Sequence, residues 1–139
     1  MRRVPQLPLP TTTFVSGQTE RPPEGWSDRV DDDDAVAFAW GCDLFDAGCF
    51  FEAHELWERC WLQAKQRADV DDEALLHGLI RLAAAGVKLR ADNPVALRSH
   101  VAGARAYFGA VKEWKRGLSA VDVEAAAARL LLGVAPCLP

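Results

Sequence analysis

The sequence has no excess of basic residues: 16 Lys and Arg stand against 20 Asp and Glu, which gives a formal net charge of −4. This balance argues against a general nucleic-acid binder and against a polybasic membrane anchor. The sequence also lacks an apolar run of about 18 residues, so no transmembrane helix is expected. The first residues lack the apolar stretch of a secretory signal, and we therefore expect a cytoplasmic protein.

Signatures of several common enzyme and metal sites are also missing. The four cysteines form no C-x-x-C pair, which argues against a zinc ribbon. A chain of 139 residues can bury a sizeable core without disulfide bonds, so free thiols are expected. Neither a G-x-G-x-x-G loop nor a Walker sequence is present, and no segment supplies an evident nucleophile or oxyanion hole. The sequence leaves open whether the protein is an enzyme.

The alternation of Val, Ile and Thr that strands prefer is nearly absent, whereas helix signals are frequent from residue 31 onward. Four consecutive acids, Asp31 to Asp34, suit a helix N-terminus, where the helix dipole favours negative charge. The predicted helices cover about residues 33–46, 49–66, 69–90 and 94–115, and a fifth helix begins at Ser119 or Asp122 and ends near residue 133. Because the connections are short, sequential helices should pack as antiparallel neighbours. The sequence therefore predicts an all-α domain over residues 31–139, folded as a compact bundle of about five antiparallel helices.

Residues 1–30 differ from the rest of the chain. Five of the eight prolines lie there, and proline removes backbone donors and holds the chain extended. We expect an irregular proline-rich arm that packs loosely on the helical domain. The apolar residues available for that packing are Leu7, Leu9, Phe14 and Trp26.

The segment Phe50–Trp61 carries the most information about a site. On a helical wheel, one side collects apolar residues that include Phe50, Trp57 and Trp61. The opposite side, which water should solvate, collects Glu52, Glu55, Arg59 and Gln63. His54 and Glu58 fall one turn apart at the border, so each is within reach of the other and both should be partly desolvated by the neighbouring aromatic rings.

The third predicted helix supplies a second wall. It is apolar nearly all round, which predicts a central position in the core. Its narrow polar stripe consists of His77, Arg81 and Lys88. That stripe could face His54 and Glu58 or could face water, and periodicity does not distinguish the two.

The same residues resemble a known family. Glu52-Ala53-His54-Glu55 with Glu58 and Trp61 matches the His-x3-Glu-x2-Trp motif of the domain of unknown function 309 family, a family of bacterial and archaeal proteins. Further matches are Gly78-Leu79-Ile80, Ala83-Ala84, Lys88 and Asn93-Pro94. The resemblance covers roughly residues 35–115. It implies a small all-α fold with no established activity and a motif suspected of binding metal.

Three hypotheses follow for the pair His54 and Glu58. Imidazole and carboxylate at this spacing are suitable ligands for a divalent transition metal, with His77, Glu55 or Asp43 as a third ligand. Alternatively, the pair could bind a small polar ligand or act in catalysis, with His54 as base. The candidate pocket residues are Glu52, Trp61, Arg81 and Lys88. In the third hypothesis the protein is a non-catalytic interaction or structural module, in which a buried His54–Glu58 pair orders the core.

Charge is distributed unevenly along the chain. Residues 20–73 hold 16 acids and 5 bases, whereas residues 81–116 hold 8 bases and 2 acids. Arg98, Arg105 and Lys112 recur every seven residues, which predicts one basic stripe on the fourth helix. The stripe could bind nucleic acid or an acidic protein, or it could face solvent, the acidic helices or a second subunit. The net acidity favours the second group, so nucleic acid is not the expected partner and a homo-oligomer stays open.

Overall fold

The computed structural model describes residues 1–30 and 32–139. Five α-helices follow one another: α1, Asp34–Asp46; α2, Phe50–Gln66; α3, Val70–Arg90; α4, Pro94–Gly109; and α5, Ala120–Leu131. A short 3₁₀ turn, Asp28–Val30, precedes them, and no strand occurs within the described ranges. The predicted all-α fold with five helices is confirmed. No described helix combines the length and the apolar composition that crossing a bilayer requires.

Four helices begin where the sequence provides a cap. In each, a side-chain oxygen accepts a hydrogen bond from the backbone N–H three residues further on, which satisfies an amide that a helix N-terminus would leave unpaired. The capping residues are Asp33, Asp69, Asn93 and Ser119. These positions agree closely with the predicted helix starts. Asp31, the first acid of the predicted cluster, lies outside the described residues.

Helix α3 lies at the centre of the bundle, between α2 and α4. Its fully buried leucines are Leu75, Leu76, Leu79 and Leu82. Phe50 at the start of α2 packs on Gly86 near the end of α3, and Trp61 near the end of α2 contacts His77 in the first half of α3, so the two helices run antiparallel. Glycine is required at position 86 because a Cβ there would overlap the Phe50 ring.

Helix α4 ends earlier than the sequence predicts. Its last residue is Gly109, not Lys115, because the Asp71 carboxylate of α3 accepts hydrogen bonds from the backbone N–H groups of Lys112 and Glu113 at 2.9 and 3.2 Å. A side chain that binds backbone amides in this way competes with helix formation. Lys112 therefore lies beyond α4, and the predicted basic stripe on that helix does not exist as a continuous feature.

Much of the basic segment faces the acidic helices. Arg116 donates to both oxygens of Asp72 at 2.7 and 2.8 Å and lies 3.0 Å from a carboxylate oxygen of Asp34. Only 11% of the Arg116 side chain and 4% of the Asp72 side chain are exposed. Lys115 pairs with Asp69, and Arg105 pairs with a glutamate of α5. Of the two interpretations of the charge pattern, these contacts favour pairing with the acidic helices.

The proline-rich arm is attached by specific hydrogen bonds as well as by apolar packing. Asp43 of α1, which is buried, accepts from the backbone N–H groups of Arg3 and Val4, both at 2.9 Å, and from the Arg3 guanidinium at 3.2 Å. The indole N–H of Trp40 donates to the carbonyl oxygen of Pro8 at 2.9 Å. Because these contacts fix the backbone of the arm, its packing is closer than the loose attachment expected from the sequence. The division at residue 31 stays a prediction.

We expect Asp43→Asn to weaken the dependence of stability on acid pH. Burial alone would raise the pKa of the Asp43 carboxyl, but the hydrogen bonds from the Arg3 and Val4 amides and the Arg3 guanidinium outweigh burial and hold that pKa below its ordinary value. The carboxylate therefore adds stability above the unfolded-state pKa of about 3.9, and this stability is lost as pH falls through the lower folded-state pKa.

Urea denaturation at a series of pH values between about 5 and 2 measures this effect. The wild type should lose more stability over that range than Asp43→Asn. Asp92→Asn, at an exposed position, is the matched control and should behave as the wild type. Equal losses in wild type and Asp43→Asn would contradict the assignment.

Candidate functional site

His54 and Glu58 lie one turn apart on α2 and contact each other directly. The Nε2 atom of His54 is 3.1 Å from Oε1 of Glu58, and its Nδ1 atom is 2.9 Å from the backbone oxygen of Phe51. The pair is accessible, because 25% of the His54 side chain and 51% of the Glu58 side chain are exposed. The expectation that both residues are sheltered between aromatic side chains is therefore wrong for Glu58, which faces water.

The buried carboxylate of α2 is Glu52 instead. Its exposure is 1%, although the helical wheel placed it on the solvated side. Its two oxygens accept hydrogen bonds from the Thr13 hydroxyl and the Phe14 amide of the arm. The missed signal is Leu56, fully buried and one turn beyond Glu52, which extends the apolar face of α2 towards Glu52 and away from Glu58.

The residues considered as a third metal ligand are engaged elsewhere. Glu55 accepts a hydrogen bond from the indole N–H of Trp26 at 3.1 Å, and Asp43 holds the arm. The His77 ring lies between the rings of Trp61 and Tyr107. Within residues 1–30 and 32–139, no three His, Cys, Asp or Glu side chains converge as they would around a metal ion. The residues present do not fit a centre with three protein ligands, and metal binding by the pair alone stays a prediction.

The other predicted pocket residues separate into two groups. Trp61 lies on α2, with its ring edge-on to His77 at 5.4 Å between ring centroids. Its buried Nε1–H has no hydrogen-bond partner in the described part of the chain. Arg81 is turned towards α4, where its Nη2 donates to the Ser99 carbonyl at 3.3 Å. Lys88 follows two turns later on α3, so these two cations belong to the contact between α3 and α4.

A cavity of about 800 Å³ lies between the arm and helices α1 and α2. Its lining combines many arm residues with Trp40 and Glu52 and does not include His54 or Glu58. The polar groups that α1 and α2 contribute to it are already paired with the arm, through Pro8 and through Thr13. The cavity is therefore separate from the pair.

Comparison with known families gives one match. A family model described as a domain of unknown function (DUF309) matches residues 38–99. The resemblance to this family that the sequence indicated is confirmed over that segment, which comprises 62 of the 139 residues. The matched residues include all of α2 and α3, and with them the His54–Glu58 pair, but not the arm or α5. None of the curated proteins and none of the solved structures gives a significant match.

Both ring nitrogens of His54 face a hydrogen-bond acceptor. Both partners of His54 are acceptors, a backbone carbonyl on Nδ1 and a carboxylate on Nε2. A neutral imidazole carries only one hydrogen, so it satisfies one of them and leaves a lone pair facing the other. The Phe51 carbonyl is fixed in the helix backbone, whereas Glu58 is free to turn into water. The distances fit a hydrogen on either nitrogen. We predict the form with the hydrogen on Nδ1, in which Nε2 and the Glu58 carboxylate form a paired acceptor for a cation.

We predict that Glu52 and Glu58, two glutamates of α2, differ in their effect on stability. Glu52→Ala should cost about 1–3 kcal/mol, because the Phe14 amide would lose its partner in a water-poor setting. Glu58→Ala should cost no more than about 0.5 kcal/mol, as expected of an exposed pair one helical turn apart.

Urea denaturation of the two variants gives both free energies, and limited proteolysis of the arm gives an independent measurement. Glu52→Ala should also speed cleavage within residues 1–30, whereas Glu58→Ala should not. If Glu58→Ala were the more destabilising change, the burial assigned here to the two carboxylates would be reversed.

Proposed function

We propose that the DUF309 domain binds a small ligand through a cationic group that inserts between Nε2 of His54 and the carboxylate of Glu58. The observation that carries this proposal is the contact of these two acceptors at 3.1 Å on an accessible face of α2. The Phe51 carbonyl lies 2.9 Å from Nδ1, so it would accept the ring hydrogen in the Nδ1–H form and keep the Nε2 lone pair directed at Glu58. Imidazoles that bind cations are commonly oriented by such a second hydrogen bond.

The aromatic rings around the pair support a cationic ligand. The Phe51 ring lies beside His54, with 5.3 Å between ring centroids, and Phe14 of the arm packs on Phe51. These rings already attract a cation, because the Arg21 guanidinium lies 4.7 Å from the Phe14 centroid. Aromatic faces stabilise positive charge through their quadrupole, which complements the negative carboxylate of Glu58.

Two sources of the cationic group share this chemistry. One is the guanidinium or ammonium group of an organic molecule. The other is a divalent transition metal ion held by His54 and Glu58, whose remaining positions would be taken by water, since no third side chain converges on the pair in the described ranges.

The exposure of the pair distinguishes this proposal from a purely structural role. A pair that orders the core should be buried, yet half of the Glu58 side chain is in contact with solvent. Catalysis with His54 as a base is supported less well, because His54 does not line the cavity between the arm and helices α1 and α2. The geometry is therefore best suited to binding.

Isothermal titration calorimetry with the full chain tests the proposal. The probes are Zn²⁺ and methylguanidinium, each titrated into a Cys137→Ser background so that the exposed thiol does not bind the metal. We expect one of the two probes to bind with a Kd below about 1 mM. Glu58→Gln should weaken that binding at least about tenfold, because it removes the negative charge and keeps the shape of the side chain.

The matched control is Glu55→Gln, which alters a neighbouring carboxylate that is held by Trp26. The Glu55→Gln variant should bind the probe with the same affinity as the parent Cys137→Ser protein. The proposal fails if neither probe binds, or if Glu58→Gln and Glu55→Gln weaken binding equally. The second outcome would indicate a general effect of negative charge on α2.

A further inference from the structure

A second group of charged side chains lies at the contact between α3 and α4, away from the His54–Glu58 pair. Arg81 and Lys88 come from α3, and His100 comes from α4. We infer that these three residues form a binding site for the oxyanion group of a small ligand, a phosphate or a carboxylate. This inference does not depend on the proposed function of the pair.

The guanidinium of Arg81 is seated in a recess of α4. It lies against Gly103, where a Cβ would overlap the guanidinium group, and its Nη2 donates to the Ser99 carbonyl at 3.3 Å. Its Nε–H is buried but has no hydrogen-bond partner in the described part of the chain. A planar guanidinium that is fixed in place and retains unused donors is suited to binding an oxyanion through two parallel hydrogen bonds.

The positive charge at this site is not compensated. Across the described residues, neither Arg81 nor Lys88 forms an ion pair, whereas Arg105, Lys115 and Arg116 each pair with an acid. The difference is notable in a chain whose net charge is −4, because acidic partners are abundant elsewhere. A cluster of unpaired cations raises the local concentration of anions and favours their binding.

The histidines at the same contact respond to this charge. Burial lowers the pKa of His100, and the positive charges of Arg81 and Lys88 lower it further. Burial and the charge of Arg81 likewise lower the pKa of His77. Both shifts have the direction expected where positive charge lacks a counterion, and a bound anion would act against them.

Unpaired polar atoms are concentrated along this contact. Five buried side-chain nitrogen or oxygen atoms lack a hydrogen-bond partner in the described ranges, and three of them are Trp61 Nε1, Arg81 Nε and His100 Nδ1. The Trp61 ring contacts the ring of His77, and His77 lies one turn before Arg81 on α3, so Trp61 lies beside this contact. All three nitrogens can carry a hydrogen and donate it, which is the chemistry an oxyanion requires.

Nuclear magnetic resonance of the full chain tests this site, with inorganic phosphate and acetate as the probes. The titrations are run at fixed pH and at constant ionic strength, with chloride as the balancing anion. We expect the ring protons of His100 to shift in a saturable manner with at least one probe. Saturation by phosphate alone would assign a phosphate site, and saturation by acetate as well would assign a general carboxylate and phosphate site.

Three variants make the test specific. Arg81→Met removes the guanidinium and should weaken binding at least about tenfold. Gly103→Ala displaces the guanidinium from its recess while every charge is kept, so it should weaken binding too, and it decides the matter if Arg81→Met does not fold. Arg98→Met, on α4 at an exposed position, is the control and should leave the affinity unchanged. The inference is overturned if no probe shifts His100, if Gly103→Ala binds as the wild type does, or if Arg98→Met causes an equal loss.

Discussion

Three carboxylates buried among the helices determine how the rest of the chain folds around them. Asp43, Glu52 and Asp72 are each at most 4% exposed, and a charge in that setting is strongly unfavourable unless it is paired. Their partners come largely from outside the helices. The arm supplies amides and a guanidinium to Asp43 and a hydroxyl and an amide to Glu52, whereas the segment after α4 supplies Arg116 to Asp72. The irregular segments are therefore required for the helices to bury their acids.

Because a buried carboxylate must be paired within the fold, buried acids have a structural role, and only exposed acids are available to a ligand. Glu52 and Glu58 both lie on α2, yet only Glu58 is exposed to solvent. The former joins α2 to the arm, and the latter joins His54 in an accessible pair. At the contact between α3 and α4, in contrast, Arg81 and Lys88 lack acidic partners in the described residues. The molecule thus has two candidate binding sites of opposite character. On α2, Nε2 of His54 and the Glu58 carboxylate are two neighbouring acceptors. Between α3 and α4, Arg81 and Lys88 are two cations without an acidic partner in the described residues.

Most of the fold could be predicted from the sequence because it depends on local signals. Caps such as Asp33 and Asn93 act within their own helix, and the apolar character of α3 predicts its central position. The end of α4 could not be predicted in this way, since it is set by Asp71, 41 residues from the amide of Lys112 that it binds. The packing of the arm on the helices was expected, but its specific hydrogen bonds were not, because several of their donors are backbone amides that no sequence pattern marks.

The site was predicted in part. The spacing of His54 and Glu58 correctly indicated that they can contact each other, but the helical wheel gave too much weight to Trp57 and Trp61 and too little to Leu56. The helical wheel therefore predicted that Glu58 is sheltered and Glu52 is solvated, whereas the structure has the reverse. The set of third ligands failed to assemble because Glu55 and His77 each have a tertiary partner, Trp26 and Tyr107, which periodicity cannot reveal.

The claim that Nε2 of His54 is an acceptor beside Glu58 is tested most directly by locating the hydrogen on the neutral His54 ring. Long-range ¹H–¹⁵N spectra of the ligand-free protein, recorded over a range of pH, distinguish the two ring nitrogens. We expect the neutral ring to carry its hydrogen on Nδ1, bound to the Phe51 carbonyl, and to leave Nε2 without a hydrogen beside Glu58. A neutral ring with its hydrogen on Nε2, or one that exchanges between both forms as a solvated imidazole does, would contradict it.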